Sequence, residues 1–448
     1  MLDRYSLLTK VSDLEILREA EQNLLRSPKR KRNSSGAKEG FPYYAGYSEV
    51  FAEDALRLFA SADALVLDPW NGAGTTSAIA AVGGWSSISF DLNPVMVVVA
   101  KARLARASDI AMARTRLLRY LRDFAANNAL ITDDPVSRWV GASGSSLIRY
   151  LVKRCLQQRK SLESLTLESI SEKVSAAEVW QCIIILCIFR ATKKNFPSPL
   201  SSNPTWTKVP SAEFDDVMQI GWKEILLDEL LHLTKISEEN GREILPRVVT
   251  EIKCGTSENL NLPDESIDFV LTSPPYCTRI DYAVSTLCEL AVLGLDKVVI
   301  DSDLRFRLIG STANKGSSPI KKAWGKNCVR FLENVKVHPS HGSRTYYYNN
   351  FAQYFESLFN SIGELARVLK QDGMICTVLQ GSHYKEHFID LPAIFIEMSR
   401  QNGLELVAVH SFNASQFFVN INMTSLKYRG KKSISEQVVI LRKCPQNG

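Results

Sequence analysis

The sequence predicts an α/β chain built on a doubly wound, mostly parallel sheet that carries a helical insertion and a basic insertion. Three features predict it. A strand, a glycine turn and a helix follow one another over 64–84 and lead to a second strand ending in an acid. A second strand-like run, 265–271 (ESIDFVL), stops against two prolines, and three further strand-like runs close the chain.

Composition sets the bounds. The chain has 448 residues, two to three times a common domain length, so one core with large insertions, or two cores, is expected. Hydrophobic residues make up 45% and charged residues 23%, which disfavours disorder, collagen-like repeats and a membrane bundle. The apolar run 182–189 (CIIILCIF) falls short of the roughly 18 to 20 residues that span a bilayer and reads as a buried element. The first residues, MLDRYSLLTKVSDLEILREAEQ, include acids and lack the apolar core of a secretion signal, so a cytoplasmic chain with no membrane partner is expected. Nine cysteines without a CxxC pair predict reduced, mostly buried thiols.

The elements then follow in order. Segment 1–40 reads as an N-terminal helix and a basic arm (25–39), and 41–105 as the first part of the core. There ALVLD (64–68) is a strand, PWNGAGTT (69–76) a turn and SAIAAV the start of a helix that Gly83 and Gly84 can stop. Gly72 and Gly74 suit a backbone that must approach a ligand, and a helix opening at Thr75 offers unpaired N–H groups. Asp91, at the tip of the strand 86–90, is placed to accept hydrogen bonds from the two hydroxyls of a ribose.

Segment 106–248 reads as a helical insertion, with apolar residues at helical spacing over 114–130, 145–156, 175–191 and 214–233. Between the last two lies 190–206, whose Arg190, Lys193, Lys194, Asn203 and Trp206 suit phosphate or base contacts or a plain polar connection.

Segment 249–295 holds the strand that runs into Thr272-Ser273-Pro274-Pro275-Tyr276. Neither proline donates an N–H, so the sheet ladder ends there and leaves a rigid corner with free carbonyls, a hydroxyl and an aromatic face. Asp281 suits a helix cap before the apolar spacing at 284–293, or a contact to a base edge. Segment 296–350 carries ten Lys and Arg against four Asp and Glu, as much surplus charge as the whole chain's +6. With its glycines, serines and asparagines it reads as a basic loop attractive to a polyanion. Its pair His338 and His341 shows no third ligand nearby, so no metal site is expected. Segment 351–448 supplies an amphipathic helix (354–369) and strands at 373–380, 404–410 and 437–441.

Taken together, DPWNGAGTT and TSPPY resemble two motifs of the S-adenosylmethionine-dependent amino-methyltransferases that modify exocyclic amines of DNA bases. The resemblance implies a Rossmann-like methyltransferase sheet and S-adenosylmethionine as cofactor. Asp68, Trp70, Gly72, Gly74 and Thr75 would line its methionine side and Asp91 would hold its ribose. Trp70 stands where the family more usually has Phe or Tyr. Thr256 occupies the position where the family commonly has an acid near the adenine amine, and either Thr256 or Glu258 would serve. Ser273, Pro274, Pro275 and Tyr276 would form the catalytic corner. The serine points to the cytosine-N4 branch, the tendency for adenine-N6 being Asp or Asn. Cys277 follows the tyrosine, is not part of a Pro-Cys pair and reads as a bystander.

The implied function is site-specific methylation of cytosine N4 in duplex DNA, with the target base flipped out of the helix. Lys321, Lys322, Lys326, Arg330 and Arg344 of the basic loop are the expected DNA contacts, and a cognate restriction endonuclease or another defence protein is an expected partner. The alternatives are adenine-N6 methylation, guanine-N2 methylation of RNA, and a DNA-recognition subunit without turnover.

Overall fold

A computed structural model of the chain describes residues 24–29, 46–124, 134–157, 165–195, 207–210, 221–240, 244, 247–277, 281–313, 316, 318–413 and 435–444. Seven short strands form one sheet in the order β3-β2-β1-β4-β5-β9-β8: β1 (Val66–Asp68), β2 (Ser87–Asp91), β3 (Thr250–Cys254), β4 (Ile267–Thr272), β5 (Leu369–Gln380), β8 (Leu404–Asn413) and β9 (Ser435–Lys443). The pairs from β3 across to β5 are parallel, and β9 runs antiparallel between β5 and β8. This is the doubly wound Rossmann-like arrangement expected. Its order reverses between β1 and β4, and at such a switch the loops leaving the carboxyl ends of two neighbouring strands diverge to open a crevice. A small hairpin of β6 (Ser382–Tyr384) and β7 (His387–Ile389) follows β5.

Side chains alternate along each strand, so the sheet feeds two cores. Val438 and Ile440 of β9 join Phe269 and Leu271 of β4 under α1 (Glu49–Phe59) and α2 (Thr75–Gly83). Val439 and Leu441 face the other way, toward α11 (Tyr348–Val368) and α12 (Leu391–Gln401). Helix ends follow local chemistry: the Ser48 hydroxyl accepts from Phe51 N at 3.3 Å, the Asn93 side chain from Val95 N at 3.1 Å and Asp390 from Ala393 N at 3.1 Å.

Among the described residues, five helices fill the stretch before β3 that reads as a helical insertion. It comprises α4 (Ala107–Asp123), α5 (Ser137–Cys155), α6 (Leu167–Ala176), α7 (Val179–Asn195) and α8 (Trp222–Asn240). The apolar run 182–189 lies at the centre of α7, buried on all sides among α4, α5, α8 and α3 (Pro94–Ala102). Every residue of α3 is itself buried, so it has no polar face and no amphipathic stripe to read from sequence.

The segment 296–350 is not a loop. Lys297–Val299, Ile300–Leu304 and Arg305–Arg307 run on as one helical stretch, α9 (Leu287–Val292) precedes it, and α10 (Lys326–Val337) follows. Cys328, Phe331, Leu332 and Val335 recur at helical spacing and pack with Trp324 into the α11–α12 core. The basic surplus hid that stripe.

All nine cysteines are free thiols, seven of them buried, as expected. Among the described residues no helix is long and apolar enough to cross a membrane.

Candidate active site

The chain leaves β1 at Asp68, whose carboxylate is buried and fully engaged by protein. Trp70 N donates to Oδ1 at 3.1 Å and Thr272 Oγ1 to the same oxygen at 2.6 Å, while Thr76 Oγ1 and, at 3.5 Å, the Tyr47 hydroxyl donate to Oδ2. Burial raises this carboxyl from 3.8 to about 6 despite those donors. The turn that follows places Gly72 in the left-handed region (φ +49°), and its N–H donates to Asp91 Oδ2 at 2.9 Å. Asn93 N donates to the other oxygen of Asp91 at 2.8 Å, and burial raises that carboxyl to about 6 as well. Two main-chain donors therefore hold Asp91 with lone pairs left for a ligand.

Gly74 has a different reason from the one expected. A Cβ there would lie 2.7 Å from Cβ of Ala100, so its lack of a side chain lets α2 pack against α3, and Gly74 does not line the cleft.

At the proline corner the Ser273 hydroxyl donates to the carbonyl of Val378 on β5 at 3.0 Å. Its single proton is thereby committed and its oxygen remains an acceptor. The Pro275 carbonyl accepts from the Tyr354 hydroxyl of α11 at 2.7 Å, and no described residue donates to the Pro274 carbonyl. The ring of Tyr276 packs partly into the α11 cluster. Cys277 lies behind the corner in the same cluster and does not line the cleft, which fits a bystander.

The two corners meet. A cleft holding about 920 Å³ of space, part of it open to solvent, is lined by Asp68, Trp70, Gly72, Thr75, Asp91 and Thr256 together with Ser273, Pro274, Pro275 and Tyr276. Ten of the eleven cofactor and catalytic candidates thus share one wall system, Gly74 being the exception. Of the two candidates near the third strand, Thr256 lines the cleft and Glu258 does not, its carboxylate accepting from Asn360 Nδ2 at 3.3 Å instead.

The basic residues divide. Lys321 is paired with Glu356 at 2.6 Å, whereas Lys322, Lys326, Arg330 and Arg344 are exposed. None of the five lines the cleft, but Arg307, Leu308 and Ile309 from the start of the same segment do. In the insertion, Arg190 (2.7 Å) and Lys194 (3.1 Å) pair with the buried Glu229, and Lys193 (2.9 Å) with the buried Glu289. They bind helices together rather than waiting for phosphate; Asn203 and Trp206 lie outside the described residues. In the N-terminal arm, Arg26 is anchored on Asp54 at 2.7 Å, and 30–39 lie outside the described residues.

Several contributors were not among the named candidate residues. Tyr47 lines the cleft, and Tyr354, on the helix that precedes β5, holds the proline corner through the Pro275 carbonyl. Arg103 reaches back from the end of α3 to the Ala73 carbonyl at 3.2 Å and to Glu49, clamping the glycine turn to α1. Asp281 caps Val284 N at 3.1 Å as expected and also pairs with Arg305 at 2.8 Å, which anchors the segment leading to Arg307.

No protein-family model matches the chain. Over 298 residues it is 26% identical to the Type II methyltransferase M.BsoBI of Geobacillus stearothermophilus, a stretch covering 61% of this chain and 56% of that protein. The chain therefore spans little more than half the length of the curated relative it matches. Solved structures similar to it include a SAM-dependent methyltransferase from Methanosarcina mazei (10% identical, TM-score 0.30, covering 87% of this chain and 97% of that one). Another is an rRNA methyltransferase from Streptomyces viridochromogenes (9% identical, TM-score 0.29, covering 93% and 96%). At that level of likeness the strand order of the sheet, not these neighbours, carries the fold assignment.

Proposed function

We propose that the chain is a site-specific DNA methyltransferase that uses S-adenosylmethionine and acts on the exocyclic N4 amine of a cytosine swung out of the duplex. One observation carries the proposal: a Ser273 oxygen whose proton is given to Val378 and a Pro274 carbonyl to which no described residue donates stand together in the cleft that also holds Asp91.

The residues fit the cofactor. Trp70 Nε1 and Asn71 Nδ2 are buried donors beside this cleft with no partner among the described residues, and two acids, Asp68 and Asp91, line it where a ligand of net positive charge would lie. When bound, S-adenosylmethionine supplies an electrophilic methyl group on a sulfonium sulfur. Asp91 would accept from the ribose hydroxyls, Thr256 would serve the adenine, and Trp70 and Thr75 would border the methionine end.

The target amine is a poor nucleophile because its lone pair is delocalised into the ring. Ser273 Oγ and the Pro274 carbonyl accept its two hydrogens and draw the nitrogen toward tetrahedral geometry, which frees the lone pair by position and electrostatics. Tyr276 offers a face for the base, offsetting part of the cost of about a few kcal/mol for extruding it. The exposed Lys322, Lys326, Arg330 and Arg344 meet the phosphates. The 26% identity to a Type II methyltransferase supports DNA as the substrate. A cognate endonuclease or another defence protein is the partner such a modification implies.

Adenine-N6 is the second reading, because the same two acceptors hold either amine. Incubation with plasmid DNA and methyl-labelled cofactor, followed by nucleoside analysis, decides it. N4-methylcytosine supports the proposal and N6-methyladenine reassigns the base. Label in transfer RNA alone reassigns the enzyme to guanine-N2 chemistry, and no label at all leaves a recognition subunit.

A further inference from the structure

Beyond the cleft, the expectation that His338 lacks partners for a metal does not hold. His341 is not its neighbour in the relevant sense; the β6–β7 hairpin is. His338, at the end of α10, and Glu386 and His387, at the tip of that hairpin, bring three ligand atoms within 4.8 Å of one another, the one such group among the described residues. We propose that these three side chains form a binding site for a single divalent transition ion of the zinc class, independent of the methyl-transfer reading.

The distances are near those required. Glu386 Oε1 lies 3.0 Å from His338 Nε2 and 3.7 Å from His387 Nε2. An ion about 2.0–2.2 Å from each ligand in a tetrahedron sets its ligands roughly 3.3–3.5 Å apart, so with all three atoms within 4.8 Å of one another the site closes by side-chain motion of roughly an ångström. Two imidazoles and one carboxylate suit zinc, nickel or copper and not calcium or magnesium, which take oxygen ligands. Three protein ligands leave a position for water.

Support around the ligands is already built. His338 is largely buried, its ring edge-on to Tyr384 (5.7 Å) and His387 (5.6 Å). Its Nδ1 lies 2.8 Å from Ser340 Oγ, which continues to Ser343 and Tyr384 through hydroxyl contacts. An ion on Nε2 requires the proton on Nδ1, and Ser340 Oγ is placed to accept it, the arrangement that orients many metal-bound imidazoles. Without the ion, Ser340 N donates to Nδ1 at 3.1 Å and Nε2–H points at Glu386. Binding thus exchanges one tautomer for the other and displaces a hydrogen bond. That exchange lowers affinity below that of a preformed four-ligand structural site.

The ion would staple the hairpin, whose first strand follows directly on β5, to α10. The test uses the full chain stripped with a chelator, titrated with zinc by calorimetry and, separately, with cobalt by absorption. Glu386→Gln and His387→Ala alter solvent-accessible side chains, so both variants should melt with the wild type in chelator. The expected result is one equivalent of zinc per chain, weakened at least tenfold in each variant. Zinc should raise the melting temperature of the wild type only, and the cobalt spectrum should lack the intense thiolate charge-transfer band that a cysteine site would give. Zinc affinity in either variant equal to that of the wild type, a thiolate-dominated cobalt spectrum, or no binding by the wild type overturns the proposal.

Discussion

Thr272 Oγ1 donates to Asp68 Oδ1 at 2.6 Å across 204 positions of sequence. That bond joins the last residue of β1 to the last residue of β4, so the glycine turn and the proline corner are held from beneath by one buried carboxylate. Thr76 and Tyr47 complete the ring of donors around it. Thr272→Val keeps the shape and removes a donor from a buried acid. A loss of about 1–3 kcal/mol is expected in urea unfolding, with weaker cofactor binding in the same variant. A variant as stable as the wild type would mean that the remaining donors suffice.

Ser273→Ala removes one of the two acceptors proposed for the amine and leaves the Val378 carbonyl merely without a donor. Turnover should fall about 100-fold with the cofactor Kd unchanged, as read by single-turnover methylation and by calorimetry. An unaltered rate excludes Ser273 from the chemistry.

Tyr354→Phe tests the support behind the corner. The variant loses the bond to the Pro275 carbonyl, and that part-buried acceptor loses its donor. A roughly tenfold lower turnover and about 1 kcal/mol less stability are expected, again with cofactor affinity preserved.

Cofactor binding should depend on pH through Asp91, whose carboxyl burial raises to about 6. Above that value it is ionised and accepts from both ribose hydroxyls; below it a proton occupies one oxygen. Affinity should therefore weaken by up to about tenfold per unit as pH falls below 6. Asp91→Asn should bind weakly at every pH with a shallower slope, what remains reporting Asp68, whose carboxyl burial also raises to about 6. A wild-type affinity that does not change between pH 7 and pH 5 would contradict the assignment.

Replacing Lys322, Lys326 and Arg330 together by alanine should weaken DNA binding and make it less sensitive to salt. The log–log slope should shrink by up to about 0.9 for each phosphate no longer neutralised. Lys321→Ala should change the slope little, since Lys321 is already paired with Glu356. Unchanged affinity and slope in the triple variant would move the DNA surface elsewhere.

Much of the fold was legible because its elements are local. The run ALVLD, the glycines at 72 and 74 and the prolines at 274 and 275 each limit the backbone through residues within a few positions, and β1, α2 and the end of β4 formed where they imply. The last three strands and most of the insertion helices announced themselves by period. What escaped did so for reasons that are equally physical. α3 is buried all round and has no stripe, and the charge of 296–350 outweighed the apolar spacing of α10.

The sequence by itself determined the strand ends and the residue types offered at them: an acid, small glycines, a serine and two carbonyls that no ladder can use. Only the tertiary structure decided what those groups face. Gly74 turned out to make room for Ala100, Lys193 and Lys194 to neutralise buried acids, and His338 to meet a hairpin instead of His341. Backbone preference acts over a few residues, whereas the partner of a buried polar group is chosen by packing across the whole sheet.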